Sequence, residues 1–236
     1  MKLLIISHTP HYQSSDGVVG WGPTVREIDQ LATLFDQIVH LAPMHAGPPP
    51  GSSLPYEAHN ISLHLVEPAG GKGLRNKISI LTQIPQWLAA MKTEMQSADA
   101  IHIRCPAGIS LIGLLAARVW RRGKPTWVKY AGNWRPKEKE PFSYTIQRQC
   151  LKQNRKNRVV TINGKWPGQA DHIISFKNPS YAMDEVQKAG KIVEAKTLQE
   201  PIQILYIGRI ESAKGVGRVI NIAQGLKEKG LDFKLY

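Results

Sequence analysis

The sequence has few cysteines and no long apolar segment. Its two cysteines, Cys105 and Cys150, exclude a disulfide-rich scaffold and are typical of a reducing compartment. The N-terminal apolar run, 3–6, is shorter than the apolar region of a secretory signal. The longest apolar stretch, 109–120, contains Arg118 and falls short of the roughly 20 residues that span a bilayer. We therefore expect a cytoplasmic protein without a membrane-spanning helix.

The sequence also lacks the short motifs of several enzyme classes. It contains no G-x-G-x-x-G or Walker A pattern for nucleotide phosphates, and no G-x-S-x-G or S-x-x-K pattern for acyl-enzymes. There is no D-x-D pattern of the kind that holds a nucleotide sugar through a metal ion. His8 and His11 offer two imidazoles, but Pro10 between them disrupts helical spacing and no further ligand is indicated. We expect neither a metal site nor a bound cofactor.

Acidic residues are scarce, and the basic excess is concentrated in one part of the chain. Lys and Arg number 31 against 18 Asp and Glu, which gives a formal net charge of +13. Residues 118–165 contain 14 Lys and Arg but only Glu138 and Glu140, so the rest of the chain carries a net charge of about +1. A concentrated basic block indicates an anionic partner, whereas a solvated face without a partner is the plainer alternative.

Three chemical classes of anion fit this block: lipid head groups, a phosphorylated substrate and nucleic acid. Trp120, Trp127 and Trp134 are interleaved with the cations, a pattern that suits a membrane interface as well as a nucleic acid strand. Each cation near an anionic surface contributes roughly 1 kcal/mol, so a handful would hold the protein there reversibly. The sequence has no recognised nucleic-acid-binding module, which disfavours nucleic acid. Peripheral contact of 118–165 with the anionic inner face of the membrane stays open as an alternative, and the family resemblance given below favours it.

Apolar runs and amphipathic segments alternate along the chain. Apolar runs predict strands at 2–7, 37–42, 61–66, 100–104, 126–130, 159–162, 172–176, 202–210 and 233–236. Helical spacing predicts helices at 24–35, 77–96, 109–122, 143–155, 181–188 and 216–229. Residues 8–23 and 44–60 are rich in Gly, Pro and polar residues and are predicted to be loops. This alternation predicts a parallel sheet covered by helices.

Two architectures suit the alternation: an open doubly wound sheet and a (β/α)8 barrel. The polar segment 191–201 separates two units along the chain, which favours the open sheet over one closed ring. We therefore predict an α/β fold with a Rossmann-like, doubly wound parallel sheet at 1–190 and a linker at 191–201. Residues 202–236 are then the truncated start of a second Rossmann-like domain.

The loop at 8–23 follows the first strand, where open parallel sheets bind their ligands. Its glycines, Gly17, Gly20 and Gly22, would let backbone amides approach a phosphate or a sugar hydroxyl closely. Thr24 and Glu27 form a capping-box pattern that would begin the next helix and direct its positive end at the ligand. A flexible surface loop is the alternative.

Two further residues are candidates for ligand contacts at this cleft. Arg104 and Asn133 fall at the predicted ends of the strands at 100–104 and 126–130. Since the carboxyl ends of parallel strands meet at one edge of a sheet, both side chains are predicted to face the same ligand.

A second loop suited to phosphate follows the predicted strand 202–210. Gly208 and Arg209 end that strand, and Lys214 and Gly215 lead into the next helix. Arg209 offers a planar fork of donors and Lys214 a mobile ammonium, both beside a helix N-terminus. This combination is typical of a diphosphate site, and a pair of ordinary surface cations is the alternative.

The segment from Gly208 to Gly215, with its strand before and helix after, resembles the start of the donor-binding domain in retaining glycosyltransferases of family 4, which have the GT-B fold. The glycine loop before Thr24 and the segments 101–106 and 128–134 are similar to the N-terminal, acceptor-side domain of that family. The resemblance covers most of the chain, and the Gly-Arg…Lys-Gly stretch is its most specific part.

The resemblance implies a transferase of polysaccharide biosynthesis that moves a sugar from a nucleotide-sugar donor to a glycan or lipid-linked acceptor. It also implies that Arg209 and Lys214 hold the donor pyrophosphate and stabilise the leaving nucleoside diphosphate. The sequence departs from the family where a His commonly follows the fifth strand, since it has 130–132 Tyr-Ala-Gly there. The family's paired glutamates also have no counterpart before Tyr236.

These departures leave the catalytic residues unassigned and two alternatives open. The first is an inactive fragment or binding module that keeps the acceptor domain without a working donor site. The second is a basic nucleic-acid-binding protein. The sequence does not indicate which sugar is moved, which nucleotide carries it or what accepts it.

Overall fold

The computed structural model describes residues 1–70, 74–120, 123–136, 139–177, 183–208, 210 and 214–236, with backbone alone at 74–78. Contacts divide the chain into two compact units, Met1–Ser180 and Tyr181–Tyr236. Among the helices of these ranges, none is both long enough and apolar enough to cross a membrane.

Ten strands in the described part of the first unit form one sheet. Their bounds are β1 Lys2–Ile6, β2 His11–Ser14, β3 Gly17–Trp21, β4 Gln37–His45, β5 Ser53–Pro55, β6 Ile61–Val66, β7 Ala100–Cys105, β8 Thr126–Tyr130, β9 Arg158–Asn163 and β10 Ile173–Phe176. The helices of this unit are α1 Gly22–Ala32, α2 Leu74–Ser97, α3 Gly108–Trp120 and α4 Phe142–Lys152.

The strand β1 lies inside the parallel part of the sheet, between β4 and β7, in the order β6–β4–β1–β7–β8–β9–β10. The chain runs outward from β1 through β4 and β6, then returns to the other side of β1 and runs outward through β7 to β10. This reversal defines a doubly wound, Rossmann-like sheet. The predicted fold class is confirmed, and a closed barrel is excluded because the sheet ends at β10.

A smaller group of strands extends the sheet beyond the end of β4. The strand β2 pairs in parallel with Met44 and His45 at the end of β4. The strand β3 pairs antiparallel with both β2 and β5. Residues 8–23, predicted as a loop, therefore contain a β-hairpin, and β5 lies inside the predicted loop 44–60. Both loop predictions are wrong over these strands.

The two faces of the parallel sheet differ in composition, because successive side chains of a strand point to opposite faces. One face carries Leu4 and Ile6 of β1, which belong to the large apolar core with Trp87 and Met91 of α2. On the other face Ile5 packs in a smaller core that includes Ile28 of α1 and Ile38 of β4. Towards the carboxyl ends of the strands this second face becomes polar, with His40, His102, Arg104 and Lys129.

The predicted capping box at the start of α1 is wrong. The helix begins at Gly22 after Trp21, and no side chain of the described residues caps it. Thr24 is buried, and Glu27 forms ion pairs with residues of β7 and β8 instead of folding back on its own helix. Long-range pairing with buried cations therefore prevails over the local capping pattern.

The second unit contains α5 Met183–Ala195, β11 Ile202–Ile204, α6 Val216–Glu228 and β12 Phe233–Leu235. The strands β11 and β12 pair in parallel with α6 between them in sequence, as in the first β–α–β segment of a Rossmann-like domain. The strand β11 ends before the predicted 210, and α5 includes residues 191–195 of the predicted linker. None of the described residues of this unit is buried, and two short strands make a marginal sheet.

Candidate functional site

The strands β1 and β7 are neighbours at the point where the winding of the sheet reverses. Ile6 at the end of β1 pairs with Ile103 near the end of β7. In open α/β sheets, ligands bind in the crevice outside the carboxyl ends of the strands at such a point. The candidate site therefore includes Ser7 and His8, which follow β1, and Arg104 near the end of β7.

A buried chain of hydrogen bonds fixes the segment that follows β1. The Ser7 hydroxyl lies 2.6 Å from His40 Nε2, and His40 Nδ1 lies 2.7 Å from the Tyr56 hydroxyl. The Tyr56 hydroxyl also lies 2.9 Å from His11 Nε2, and His11 Nδ1 lies 3.0 Å from the carbonyl oxygen of Thr9. The chain thus runs continuously from Ser7 through three rings to Thr9 in the same segment.

The Thr9 carbonyl sets the direction of this chain, because a carbonyl oxygen can only accept a hydrogen bond. His11 therefore carries its proton on Nδ1 and, when neutral, accepts from the Tyr56 hydroxyl at Nε2. The Tyr56 oxygen in turn accepts from His40 Nδ1. His40 Nε2 is then an acceptor 2.6 Å from the Ser7 hydroxyl, whose oxygen also lies 2.9 Å from the Thr9 hydroxyl. In this arrangement both nitrogens of both buried imidazoles have partners, as buried polar groups require.

The pKa shifts of these groups agree with a neutral network. Burial lowers the pKa of His11 to about 4, and it lowers the pKa of His40 well below its usual value. Burial also raises the pKa of Tyr56. Both imidazoles and the phenol are therefore uncharged at neutral pH. A fully satisfied buried network of this kind holds its backbone rigidly, here residues 7–11.

His8 lies within this rigid segment, and its side chain is exposed. Desolvation by the surrounding protein, together with the charge of Arg104, lowers the pKa of His8. In its neutral form the ring can accept a hydrogen bond from a hydroxyl group of a ligand.

Arg104 is fixed by Glu27 of α1. Its Nη2 donates to Glu27 Oε2 at 3.0 Å, and its Nη1 lies 2.9 Å from Glu27 Oε1. Lys129 of β8 donates to the same Oε1 at 2.7 Å. Burial alone would raise the pKa of Glu27, but the hydrogen bonds and charges of the two cations outweigh it and lower that pKa. The carboxylate is therefore ionised and bridges α1 to two strands.

The cluster of Glu27, Arg104 and Lys129 carries an excess of one positive charge. Lys129 is only 2% exposed, and its Nζ lies 4.3 Å from the centre of the Phe176 ring. Burial lowers the pKa of Lys129, and its bond to Glu27 partly offsets that effect. A ring face and a carboxylate together compensate the buried ammonium. The remaining positive charge favours anionic or electron-rich ligand groups at this edge.

His102 lies on the same face of β7 as Arg104, two residues earlier in the strand. Its ring is fully buried and stacks on Trp127 with the ring centres 3.8 Å apart. Its Nδ1 donates to the Trp127 carbonyl oxygen at 3.2 Å, and its Nε2 has no hydrogen-bond partner among the described residues. Burial lowers the pKa of His102 to about 3, so the ring adds no charge to the site.

The three predicted glycines lie in and beside the hairpin. Gly17 is the first residue of β3, directly after the turn at 15–16, with φ +122°. A side chain at Gly20 would approach His11 Nε2 to 2.9 Å, and one at Gly22 would approach the Ser52 carbonyl oxygen to 2.6 Å. The Gly22 amide donates to that same oxygen at 2.9 Å. Gly20 and Gly22 thus permit close packing within the hairpin region.

The other predicted residues occupy different places. Arg104 lies in the cluster described above, whereas Asn133 is exposed in the loop after β8 and accepts a hydrogen bond from the Arg135 amide at 3.0 Å. In the second unit, Gly208 and Lys214 are both exposed, and Lys214 precedes the N-terminus of α6. Arg209 lies outside the described residues.

The sequence analysis did not identify Glu27, Lys129, His40 or Tyr56 as members of a site. A signal was present for some of them. His40 interrupts an otherwise apolar strand, and Lys129 does the same in β8. Because charged residues are almost never fully buried without partners, a cation inside a strand predicts a buried carboxylate nearby. The identity of that carboxylate depends on the folded chain.

Within the described residues, no group of three or more His, Cys, Asp or Glu side chains is arranged to hold a metal ion. Comparison with protein-family models and with curated proteins gives no match for this chain.

Proposed function

We propose that the protein is a glycosyltransferase that moves a sugar from a nucleotide-sugar donor to a hydroxyl group of a glycan or lipid-linked acceptor. The observation that carries the proposal is that His8, which follows β1, and Arg104 of β7 lie at the switch point of the sheet, where the charge of Arg104 acts on His8. An exposed neutral imidazole and a fixed guanidinium suit a polyhydroxylated ligand, since one accepts from a hydroxyl and the other donates to an oxygen.

The first unit would bind the acceptor. Hydrogen bonds to sugar hydroxyls require donors and acceptors held at fixed positions, because an ordered site spends less free energy on binding. Here the chain of hydrogen bonds from Ser7 to Tyr56 holds the backbone on both sides of His8, and the ion pair with Glu27 fixes Arg104. The excess positive charge of the cluster also suits a phosphate of a lipid-linked acceptor.

The second unit would bind the donor diphosphate. Lys214 is exposed. The next residue, Gly215, is the N-cap of α6 and has a φ of +80°. Backbone amides at a helix N-terminus and a nearby ammonium are a recurrent arrangement for phosphate. Together with Arg209, which the resemblance assigns to the pyrophosphate, Lys214 would stabilise the leaving nucleoside diphosphate.

The experiment measures the release of nucleoside diphosphate that depends on an acceptor. The donors are uridine, guanosine and adenosine diphosphate sugars, and the acceptors are oligosaccharides or polyprenyl phosphates. We expect release with one donor class. Lys214→Ala should weaken binding of the corresponding nucleoside diphosphate about tenfold, as for a lost charged hydrogen bond. Lys234→Ala, another exposed lysine of the same unit, is the matched control.

The acceptor side is tested separately with His8→Ala, which should raise the KM for the acceptor, against His59→Ala at another exposed position. Absence of nucleoside diphosphate binding and of release with every donor would contradict a transferase. Acceptor binding without release would instead support a binding module.

A further inference from the structure

A cavity of about 410 Å³ lies at the amino ends of β8 and β9, on the edge of the sheet opposite to His8 and Arg104. Its walls come from the second half of α3, from the segment before β8, from Cys150 of α4 and from the segment before β9. Ligand-binding cavities commonly enclose about 300–1,000 Å³, so this one is large enough for a small organic molecule.

One wall of the cavity is apolar. Ile103 of β7 and Leu114, Leu115 and Ala117 of α3 contribute aliphatic groups to it. Leu115 is also 48% exposed, and Val119, one helical turn further along α3, is 65% exposed. Aliphatic groups therefore continue from the inside of the cavity towards solvent, where they can contact the apolar part of a ligand.

The other wall is basic. Lys124, Arg155, Lys156 and Arg158 line it, and the described lining residues include no Asp or Glu. These four cations differ from Lys129 of the same basic block, 118–165, because Lys129 is paired with Glu27 in the interior. Among the described residues of the cavity wall, these four cations have no carboxylate partner.

Arg158 is held in place by the end of α4. Its Nη2 donates to the carbonyl oxygens of Cys150 and Leu151, at 3.1 and 3.4 Å, where a cation is favoured by the helix dipole. Its Nε is buried and has no hydrogen-bond partner among the described residues. Burial lowers the pKa of Arg158. The Gln153 carbonyl oxygen also accepts from Nη2, so the guanidinium is fixed where it lines the cavity and its charge is preorganised for an anion.

We propose that this cavity binds an organic phosphate with an apolar body, with the phosphate at Arg155, Lys156 and Arg158 and the apolar body against Leu114 and Leu115. An alkyl phosphate and the head-group region of an anionic phospholipid both have this chemistry. The site is separate from the edge at which the proposed transfer occurs, so it does not depend on that function.

Cys150 provides a direct measurement, because it lines the cavity and is partly exposed, whereas Cys105 is buried. The experiment follows alkylation of Cys150 by N-ethylmaleimide with peptide mass spectrometry on the full chain, with octyl phosphate as the probe. At about ten times the dissociation constant, alkylation should slow about tenfold, since only the unliganded protein reacts. Inorganic phosphate and 1-octanol at equal concentrations should protect less than octyl phosphate.

Two charge reversals separate the cavity from the general basic charge. Arg155→Glu and Lys156→Glu should abolish protection by octyl phosphate, whereas Lys152→Glu, which changes the net charge equally at an exposed position outside the cavity wall, should retain it. Circular dichroism of each variant establishes that it is folded. Equal loss of protection in all three variants, or no protection of the wild type, would overturn the proposal.

The source of the phosphate is distinguished by vesicles. If the natural ligand is a phospholipid, vesicles of phosphatidylglycerol should protect Cys150 in the wild type but not in Lys156→Glu, and phosphatidylcholine vesicles should not protect. If the ligand is a soluble amphiphile, octyl phosphate alone should protect. Vesicle binding without protection of Cys150, combined with no effect of octyl phosphate, would show contact through surface charge only and contradict a cavity ligand.

Discussion

His40 Nδ1 lies 2.7 Å from the hydroxyl of Tyr56, and this bond joins the parallel strand β4 to the segment that follows β5. The same phenol also reaches His11 of β2. One hydroxyl therefore connects the parallel sheet to its antiparallel extension, and the orientation of His8 depends on it through Ser7 and Thr9.

Removing that hydroxyl should destabilise the protein. Tyr56→Phe keeps the ring but leaves His40 Nδ1 and His11 Nε2 without their partner in the interior. Unsatisfied buried polar groups cost about 1–3 kcal/mol each, so the free energy of unfolding should fall by about 2 kcal/mol or more. Urea denaturation measures this, and Tyr12→Phe in the neighbouring strand β2 is the matched control. Equal effects of the two substitutions would contradict the bridging role.

Stability should decrease on mild acidification. The pKa of His11 is about 4 in the folded protein, below its usual value, so the unfolded chain binds more protons between pH 4 and about 6.5. The free energy of unfolding therefore loses nothing to His11 above about pH 6.5. As the pH falls towards 4, proton uptake by the unfolded chain lowers that free energy by a total on the order of 3 kcal/mol. The lowered pKa values of His40 and His102 act in the same direction.

This dependence is measured by urea denaturation at intervals between pH 7 and pH 4.5. His11→Gln should flatten the profile, since the replacement does not titrate, whereas His59→Gln at an exposed position serves as the comparison. A wild-type free energy of unfolding that stays constant over this range would show that the buried imidazoles accept protons without cost.

Neutralising Glu27 should be strongly destabilising. Glu27→Gln leaves the buried ammonium of Lys129 and the guanidinium of Arg104 without a carboxylate, and uncompensated buried charges cost about 3–5 kcal/mol. Asp184→Asn is the matched control, because the ion pair of Asp184 with Lys188 is exposed and such pairs contribute about 0–1 kcal/mol. Thermal and urea unfolding measure both variants, and similar small losses would contradict a supporting role for Glu27 at the site.

The contrast between Glu27 and the strands shows what the sequence could reveal. The strands β6 and β8 were predicted with their observed bounds, because a short, mainly apolar run rich in β-branched and aromatic residues is typical of a strand. Glu27 was assigned to a capping box from a pattern of four neighbouring residues. Its actual partner Lys129 lies 102 positions away, and such a contact becomes visible only when α1 is placed against β8.

The hairpin of β2 and β3 shows the same limit. Gly17 and Gly20 made the segment resemble a loop, because glycine is depleted in strands. Strand β3 is stabilised by pairing with β5, and Gly20 leaves room for the ring of His11. The segment after β1 could thus be proposed as a site from the sequence, while the side chains that hold it in place come from pairings between distant segments.

The second unit should exchange its amide hydrogens much faster than the centre of the first. The amides of Ile202 and Tyr236 are hydrogen-bonded in the short parallel pair at 2.9 Å, but none of the described residues around them is buried. The amides of Ser7 and Ile101 make similar bonds within the large sheet, at 3.1 and 3.0 Å, and adjoin its buried core. Since exchange from a core requires global unfolding and exchange from a marginal sheet does not, the core amides should exchange more than about a thousandfold more slowly.

Hydrogen–deuterium exchange with mass spectrometry resolves peptides from the two units. Equal protection would show that β11 and β12 are stabilised by interactions beyond those of the described residues.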